Sequence, residues 1–264
     1  MELLCCFKIV PDYEKVVSRD WLSAPLTGPD VSYVPRIISC FDEAGLEAAL
    51  RLKDSAEKCG VSAAITAITV GSGSYDYFFR SLFAAGVQHI IQVPIAEPSA
   101  FSPGEIAEAI CSNLPQKTFD AIICGARSAD GCLGAVPYLL AKRLGLPCLP
   151  NVLELGCHQQ GISALWELER GTCSAVVSTP AVYAVGNSPH PYLRMATVKK
   201  RLAAANLSPL VAQPFCPCRS GEEPFELLKL SPRRSSRSCI FIEGDDCLQK
   251  AQELLKLCPE VKSL

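Results

Sequence analysis

The stretch that most constrains what this chain can fold into runs from Phe119 to Pro147, where a short apolar segment, FDAIIC, meets a glycine- and aspartate-bearing turn and then an amphipathic run. A short β-branched apolar run suits a strand covered on both faces of a parallel sheet. The turn begins at Gly125. Gly131 and Gly134 let the backbone approach a ligand closely, and a helix from about Ala135 offers free N–H groups and the positive end of its dipole to an anion. Gly145 and Pro147 stop that helix. Such a junction is either a phosphate-binding turn or a tight connection, and its own residues leave both open. It contains neither GxGxxG nor GxxxxGK followed by Ser or Thr, so an ordinary dinucleotide fold and a P-loop are not expected.

The neighbouring segments repeat the same alternation. Apolar strands near Leu3–Val10, Ala63–Val70, His89–Val93 and Phe119–Cys124 are separated by helical patterns at about Glu43–Lys58, Tyr75–Ala85 and Pro103–Asn113. Repeated βα units predict an α/β fold with a mostly parallel, Rossmann-like sheet covered on both faces. After Pro150 the rhythm changes to two runs, Ile162–Arg170 and Cys173–Val185, which read as an added antiparallel hairpin turning at Gly171 and Thr172. Residues 203–238, with SPRRSSRS among them, read as a linker or arm, and the basic run there is either solvated or laid on a partner. A short strand, Ile240–Glu243, and a capped helix from about Asp245 to Leu257 close the chain. The expected division is an α/β nucleotide-binding domain over 1–202 and a C-terminal arm and helix over 203–264.

Charge and cysteine usage narrow the function. A net charge of -2 and a pI near 6.0 give no footprint for nucleic acid or an anionic membrane. The opening MELLCCFKIVPD is interrupted by Lys8 and Pro11 too early for a signal peptide, and no apolar run approaches the roughly 20 residues of a membrane span, so a cytoplasmic protein is expected. The 15 cysteines are dispersed and include no CxxC, so they write neither a disulfide framework nor a metal site. Cys216 and Cys218 in FCPC lack further ligands. The three histidines, His89, His158 and His190, sit in no nucleophile or metal spacing.

Several separated segments together resemble the β subunit of electron transfer flavoproteins, in particular its FixA-like bacterial branch, over nearly the whole chain. Lys8, Val10, Pro11, Asp12 and Tyr13 look like that family's opening K-x-V-P-D. Phe41, Asp42, Glu43, Glu47 and Arg51 to Lys53 look like its FDExAxEAAxRLK helix start. Val70, Gly71, Arg80, Ala84, Gly86 and His89 fit a VG…R…AxGA stretch, and Ser128–Val136 with Leu144–Pro147 resembles AIDGDTxQVGP…LGxP. Pro180 to Val182, the basic Lys199 to Arg201 and a closing FIEGD follow in order.

The resemblance implies a non-enzymatic electron carrier, heterodimeric with an α subunit that bears the electron-transferring FAD and reduced by a flavin-dependent dehydrogenase. It implies AMP, or a second FAD in electron-bifurcating members, in the β chain's own pocket. Carried over residue by residue, that pocket takes in Cys6, the turn Ser39, Cys40, Phe41 and Asp42, and Val70. Its loop comprises Gly125, Ala126, Arg127, Ser128, Asp130, Gly131, Cys132, Leu133, Gly134, Ala135 and Val136. Tyr13 and Phe41 fall where members approach the α-subunit flavin. Each residue also has an ordinary role available: Ser39 and Asp42 as helix caps, Cys6 and Val70 as core, Phe41 as packing. Their clustering at the carboxyl ends of strands favours a shared adenosine pocket. Asp130 is expected to accept from backbone N–H groups or a ribose rather than meet phosphate, since like charges repel.

The departures are specific. Cys132 and Leu133 stand where the family has aspartate and threonine, and Ala135 where glutamine is common. Backbone N–H groups hold a phosphate without those side chains, although with less affinity. The family's dehydrogenase-docking loop corresponds to Gly186–Thr197, with Met195 in place of the anchoring leucine; Tyr192, Leu193 and Met195 either dock a partner or cover the core. Two other readings stay open: a stand-alone adenine-nucleotide-binding α/β protein, for which no SGGxDS loop is present, and a scaffold homologue that has lost its nucleotide.

Overall fold

The computed structural model describes residues 1–23, 28–95, 102–216 and 239–258. Its centre is β1 (Glu2–Cys6), whose ELLCC sequence is apolar on both faces. The chain then makes β2 (Ile9–Pro11), a 3-10 turn at Tyr13–Lys15, α1 (Ser18–Ser23), β3 (Arg36–Ile38) and the long helix α2 (Cys40–Lys58). The βα alternation follows as β4 (Ala64–Val70), α3 (Asp76–Ala85), β5 (His89–Val93), α4 (Pro103–Ser112), β6 (Ala121–Gly125) and α5 (Val136–Leu144). Next come β7 (Cys148–His158), β8 (Gly161–Leu168), β9 (Gly171–Val177), β10 (Ala181–Val185), α6 (Val198–Ala204), β11 (Leu210–Val211) and α7 (Cys247–Leu257).

The large sheet runs β11-β5-β4-β1-β6-β10-β7-β8-β9, parallel from β11 to β7 and antiparallel from there outward. The expected α/β class with a mostly parallel sheet and an antiparallel extension is therefore present. One face of the sheet packs on α2 and α3 through Leu46, Leu50, Phe79 and Leu82, and the other packs on α4 and α5 through Ala107, Ile110 and Leu140. Chain order reverses on either side of β1, since β4 lies on one side of it and β6 on the other. The carboxyl ends of β1 and β6 consequently splay apart into a crevice, the place where open α/β sheets bind ligands.

Four expectations are corrected. The strand foreseen over Leu3–Val10 divides into β1 and β2, because at Lys8 the backbone N–H leaves the ladder and donates to the Asp42 carboxylate at 2.9 Å. β2 then pairs antiparallel with β3 in a separate two-stranded ribbon. The run foreseen over Cys173–Val185 also divides. Only β9 makes the hairpin with β8, turning at Glu169 and Arg170 instead of Gly171 and Thr172. Pro180 has no N–H to continue a ladder, and the wholly buried AVYAV of β10 crosses back to lie parallel between β6 and β7. Third, β7 was not foreseen: its mixed sequence carries a register shift between Val152 and Glu154 and a positive φ of 47° at Asn151. Finally, Ile240–Glu243 forms no strand, although α7 follows with Asp246 capping it by accepting the Gln249 N–H at 2.7 Å.

Part of the segment expected as a linker joins the sheet, since β11 pairs with β5 and Phe215 bridges Ile95. The remainder of that segment from 217 to 238, with SPRRSSRS and Cys218, lies outside the described residues.

Candidate functional site

The crevice between the ends of β1 and β6 is closed by polar contacts that converge from three segments. Asp42, in the first turn of α2, is buried, and its carboxylate accepts two backbone N–H groups: Gly125 at the end of β6 at 3.0 Å and Lys8 just past β1 at 2.9 Å. Ser39, fully buried, precedes α2; its hydroxyl accepts the Ala129 N–H of the loop at 3.3 Å, while its own N–H donates to the Lys8 carbonyl at 2.9 Å. Both residues are expected in the pocket, with helix capping as the ordinary alternative. Ser39 occupies the cap position of α2, but neither side chain caps a helix N–H; both bind the strand ends and the loop instead.

The Lys8 side chain completes the arrangement by meeting Asp130 at 2.5 Å. Asp130 also accepts the Gly131 N–H at 2.8 Å, so both of its carboxylate oxygens bind groups of the protein. Burial would raise its pKa, but the Lys8 ammonium, the Ser128 hydroxyl and the Gly131 N–H outweigh burial and hold it below the usual carboxylate range. Asp42 goes the other way. Burial pushes its pKa up to about 7 against the opposing pull of the Gly125 and Lys8 N–H groups and the Lys8 ammonium, and the Asp130 charge adds to the rise.

Two glycines make the geometry possible. A Cβ on Gly125 would meet the Asp42 carboxylate, the Asp42 nitrogen at 2.8 Å and the Phe41 carbonyl carbon at 2.9 Å, so only glycine brings strand and helix this close. Gly134 has a φ of 63°, and a Cβ there would meet the Ala126 carbonyl oxygen at 2.7 Å. Between them the loop turns through Cys132, itself left-handed at φ 54°, whose N–H returns to the Ser128 carbonyl at 3.1 Å.

The resulting pocket is lined by ten of the residues foreseen for it. Cys6 and Val70 lie at strand ends, Asp42 at the head of α2, and Gly125, Arg127, Ser128, Leu133, Gly134, Ala135 and Val136 in the loop and first turn of α5. Phe7, Lys8 and Cys124 also line it, as do Pro103, Ile106 and Ile110 of α4 and Pro137 of α5. The α4 contribution was missed because nothing in a helix's own sequence marks which strand end it overhangs. Ser39, Ala126, Asp130, Gly131 and Cys132, also expected there, do not line the pocket. Cys40 is exposed and Phe41 half-buried at the start of α2. Tyr13 stands apart on the turn after β2, its ring centroid 6.1 Å from that of Trp21.

A phosphate fits the donor set. Among the described residues no hydrogen bond engages the amides of Leu133, Gly134 and Ala135, which precede α5, and Arg127 is an exposed cation on the lining. Apolar walls from Phe7, Val70 and Ile106 suit the face of a base. Among the described residues no group of three His, Cys, Asp or Glu side chains could hold a metal.

A second surface stands on the opposite face of α2. Glu47, buried on that helix, binds the Arg194 guanidinium through three contacts of 2.9 to 3.2 Å and accepts the Arg194 N–H at 3.1 Å. Asp54 takes the guanidinium at 2.6 Å, and Glu43 accepts the Leu193 N–H at 3.1 Å. This clamp turns Leu193 onto the core and leaves Tyr192 77% and Met195 86% exposed. The three residues foreseen together thus divide between packing and display.

The comparisons with known proteins agree with this architecture. The model of the electron transfer flavoprotein domain matches residues 31–209. The chain is 28% identical over 96% of both chains to YgcR of Escherichia coli K12, provisionally described as an electron transfer flavoprotein subunit. It is 24% identical over 93% of both chains to the electron transfer flavoprotein subunit beta of Megasphaera elsdenii. With the corresponding subunit of Syntrophomonas wolfei the identity is 27%, covering 83% of this chain and 84% of that one.

Asp42 yields a pH signature. Its folded value near 7 lies above the ordinary 3.8, so between those values the folded state holds the extra proton. Its contribution to stability is then complete below about pH 4 and is lost as pH rises toward 7, by at most about 1.4 kcal/mol per pH unit. Urea unfolding of the wild type and Asp42→Asn across this range should show the wild type losing ground to the variant with rising pH. A difference independent of pH would contradict the assignment.

Proposed function

The chain belongs to the electron transfer flavoprotein domain family, and from that premise we propose that it is a β-type subunit of an electron transfer flavoprotein, pairing with an FAD-bearing α-type subunit and carrying AMP, or a second FAD, in the crevice between β1 and β6. One observation carries the nucleotide assignment: the free amides of Leu133, Gly134 and Ala135 border an apolar crevice whose loop is fastened to the strand ends by Asp42, Ser39 and Lys8. Phosphate recognition by backbone N–H groups tolerates Cys132, Leu133 and Ala135 in place of the family's polar side chains.

When bound on the partner, the flavin supplies the redox chemistry. This chain's residues do the remainder. Arg127 and the loop amides hold a phosphate, Phe7, Val70 and Ile106 exclude water from the base, and Tyr13 and Phe41 stand toward the partner's flavin. The Glu47–Arg194 clamp displays Tyr192 and Met195 to a flavin-dependent dehydrogenase, and a rigid display lowers the entropy lost on docking. No helix among the described residues is long and apolar enough to cross a membrane.

Denaturing the purified heterodimer and separating the released nucleotides by chromatography tests the assignment. One AMP beside one FAD per complex is expected of the ordinary carrier, and two FAD of a bifurcating one. A complex releasing only the partner's FAD overturns the pocket assignment and leaves the scaffold reading. For the docking loop, Met195→Ala should slow reduction by the physiological dehydrogenase without changing the nucleotide content. An unchanged rate would remove the loop from docking.

A further inference from the structure

Lys8 lines the pocket and directly precedes the ribbon that leads to Tyr13. Each of its polar groups is occupied: the N–H by Asp42, the carbonyl by the Ser39 N–H and the ammonium by Asp130. From Lys8 the chain passes directly into β2, whose three residues pair with β3. The Asp12 N–H then binds the Pro35 carbonyl at 2.9 Å and extends the ribbon, and Tyr13 follows, packed by its ring on Trp21. No flexible spacer separates the pocket from the aromatic.

Resting on the function proposed above, we propose that Lys8 is a positioning residue through which occupancy of the nucleotide pocket is transmitted to Tyr13 and so to the environment of the partner's flavin. A phosphate on the loop amides brings negative charge beside a cation already shared with Asp130. It attracts the Lys8 ammonium and repels the Asp130 carboxylate, so the 2.5 Å bridge lengthens or reorients when the pocket fills. The displacement passes along covalent backbone into a hydrogen-bonded ribbon, which gives the coupling a continuous physical path. Electrostatics supply a second route: burial raises the Tyr13 hydroxyl's pKa first, and the Asp130 carboxylate raises it further against the opposing effect of Arg36. The charge facing the Lys8–Asp130 bridge is Asp42 from α2, and the charges facing Tyr13 are Asp130 from the loop and Arg36 from β3. A change in the spacing of the Lys8 and Asp130 charges is felt at the tyrosine. Lys8 touches no reacting atom; its part is to hold the ribbon in register with the loop.

The experiment uses the heterodimer with its flavin-bearing partner, stripped of β-bound nucleotide and then titrated with AMP, following the flavin midpoint potential and absorption spectrum alongside AMP binding. The wild type should bind AMP and shift both flavin signals. Lys8→Met should still bind AMP, several-fold more weakly, with the flavin response abolished, and Lys8→Arg should restore it. Asp130→Asn, which keeps the lysine but removes its partner, should reduce the response and serves if Lys8→Met fails to assemble. A flavin response in Lys8→Met equal to the wild type's, or AMP bound to wild type with no flavin response, overturns the coupling alone. A wild-type complex that binds no AMP overturns the nucleotide reading, and the coupling falls with it.

Discussion

The buried carboxylate of Asp42 is the contact on which the site depends, because it accepts N–H groups from two strand ends that would otherwise have no partner at the crevice. Open α/β sheets separate their central strands at the point where chain order reverses, and something must satisfy the backbone there. Here one side chain from the head of α2 does so for both sides. Its position requires Gly125, since any Cβ at that residue would collide with Asp42 and with the α2 backbone. A buried carboxylate with only two N–H donors and one nearby ammonium is incompletely compensated, and its raised pKa follows. The cost of burial is accepted in exchange for a fixed spacing between β1, β6 and α2.

That fixed spacing sets the path of the loop from residues outside its departures from the family pattern. Cys132, Leu133 and Ala135 contribute no charge to the pocket, yet the path of the loop is set elsewhere: by Ser39 on the Ala129 N–H, Lys8 on Asp130, and the left-handed turns at Cys132 and Gly134. A loop fastened at these points keeps its path whatever side chains stand at Cys132, Leu133 and Ala135. The same helix serves the other surface through its opposite face, where Glu47 anchors Arg194. α2 is thus the element that joins the pocket to the display of Tyr192 and Met195.

The alternation of β1, α2, β4, α3, β5, α4, β6 and α5 was legible because each strand is a short apolar run between glycine or proline signals. The antiparallel extension was legible only in part. β8 and β9 alternate in the ordinary way, whereas β10 is continuous with β9 in hydrophobicity and only Pro180 marks the break. β2 and β3 are three residues each and fall below any periodicity. Ile240–Glu243 has strand composition but no neighbour to pair with among the described residues. Of the pocket lining, Cys6, Val70, Gly125, Arg127, Ser128 and Leu133 to Val136 could be read from glycine spacing and from the family resemblance. The roles of Asp42 and Ser39 could not, because a cap and a cross-link use the same residue at the same position and differ only in which N–H group comes near. Ile106 and Ile110 carry no local signal for the pocket, being ordinary apolar positions of an amphipathic helix.

Asp42, Ser39 and Lys8 fasten a loop whose amides at Leu133, Gly134 and Ala135 are left for an anion. Residue-resolved amide hydrogen exchange of the protein, with and without AMP, tests this most directly. Slow exchange is expected at Lys8, Gly125 and Ala129 in both conditions, and fast exchange at Leu133, Gly134 and Ala135 that slows when AMP is added. Equally fast exchange at Gly125 and Leu133 before AMP would mean that the loop is not fastened at the strand ends, and no change at Leu133, Gly134 and Ala135 after it would mean that these amides do not hold the phosphate.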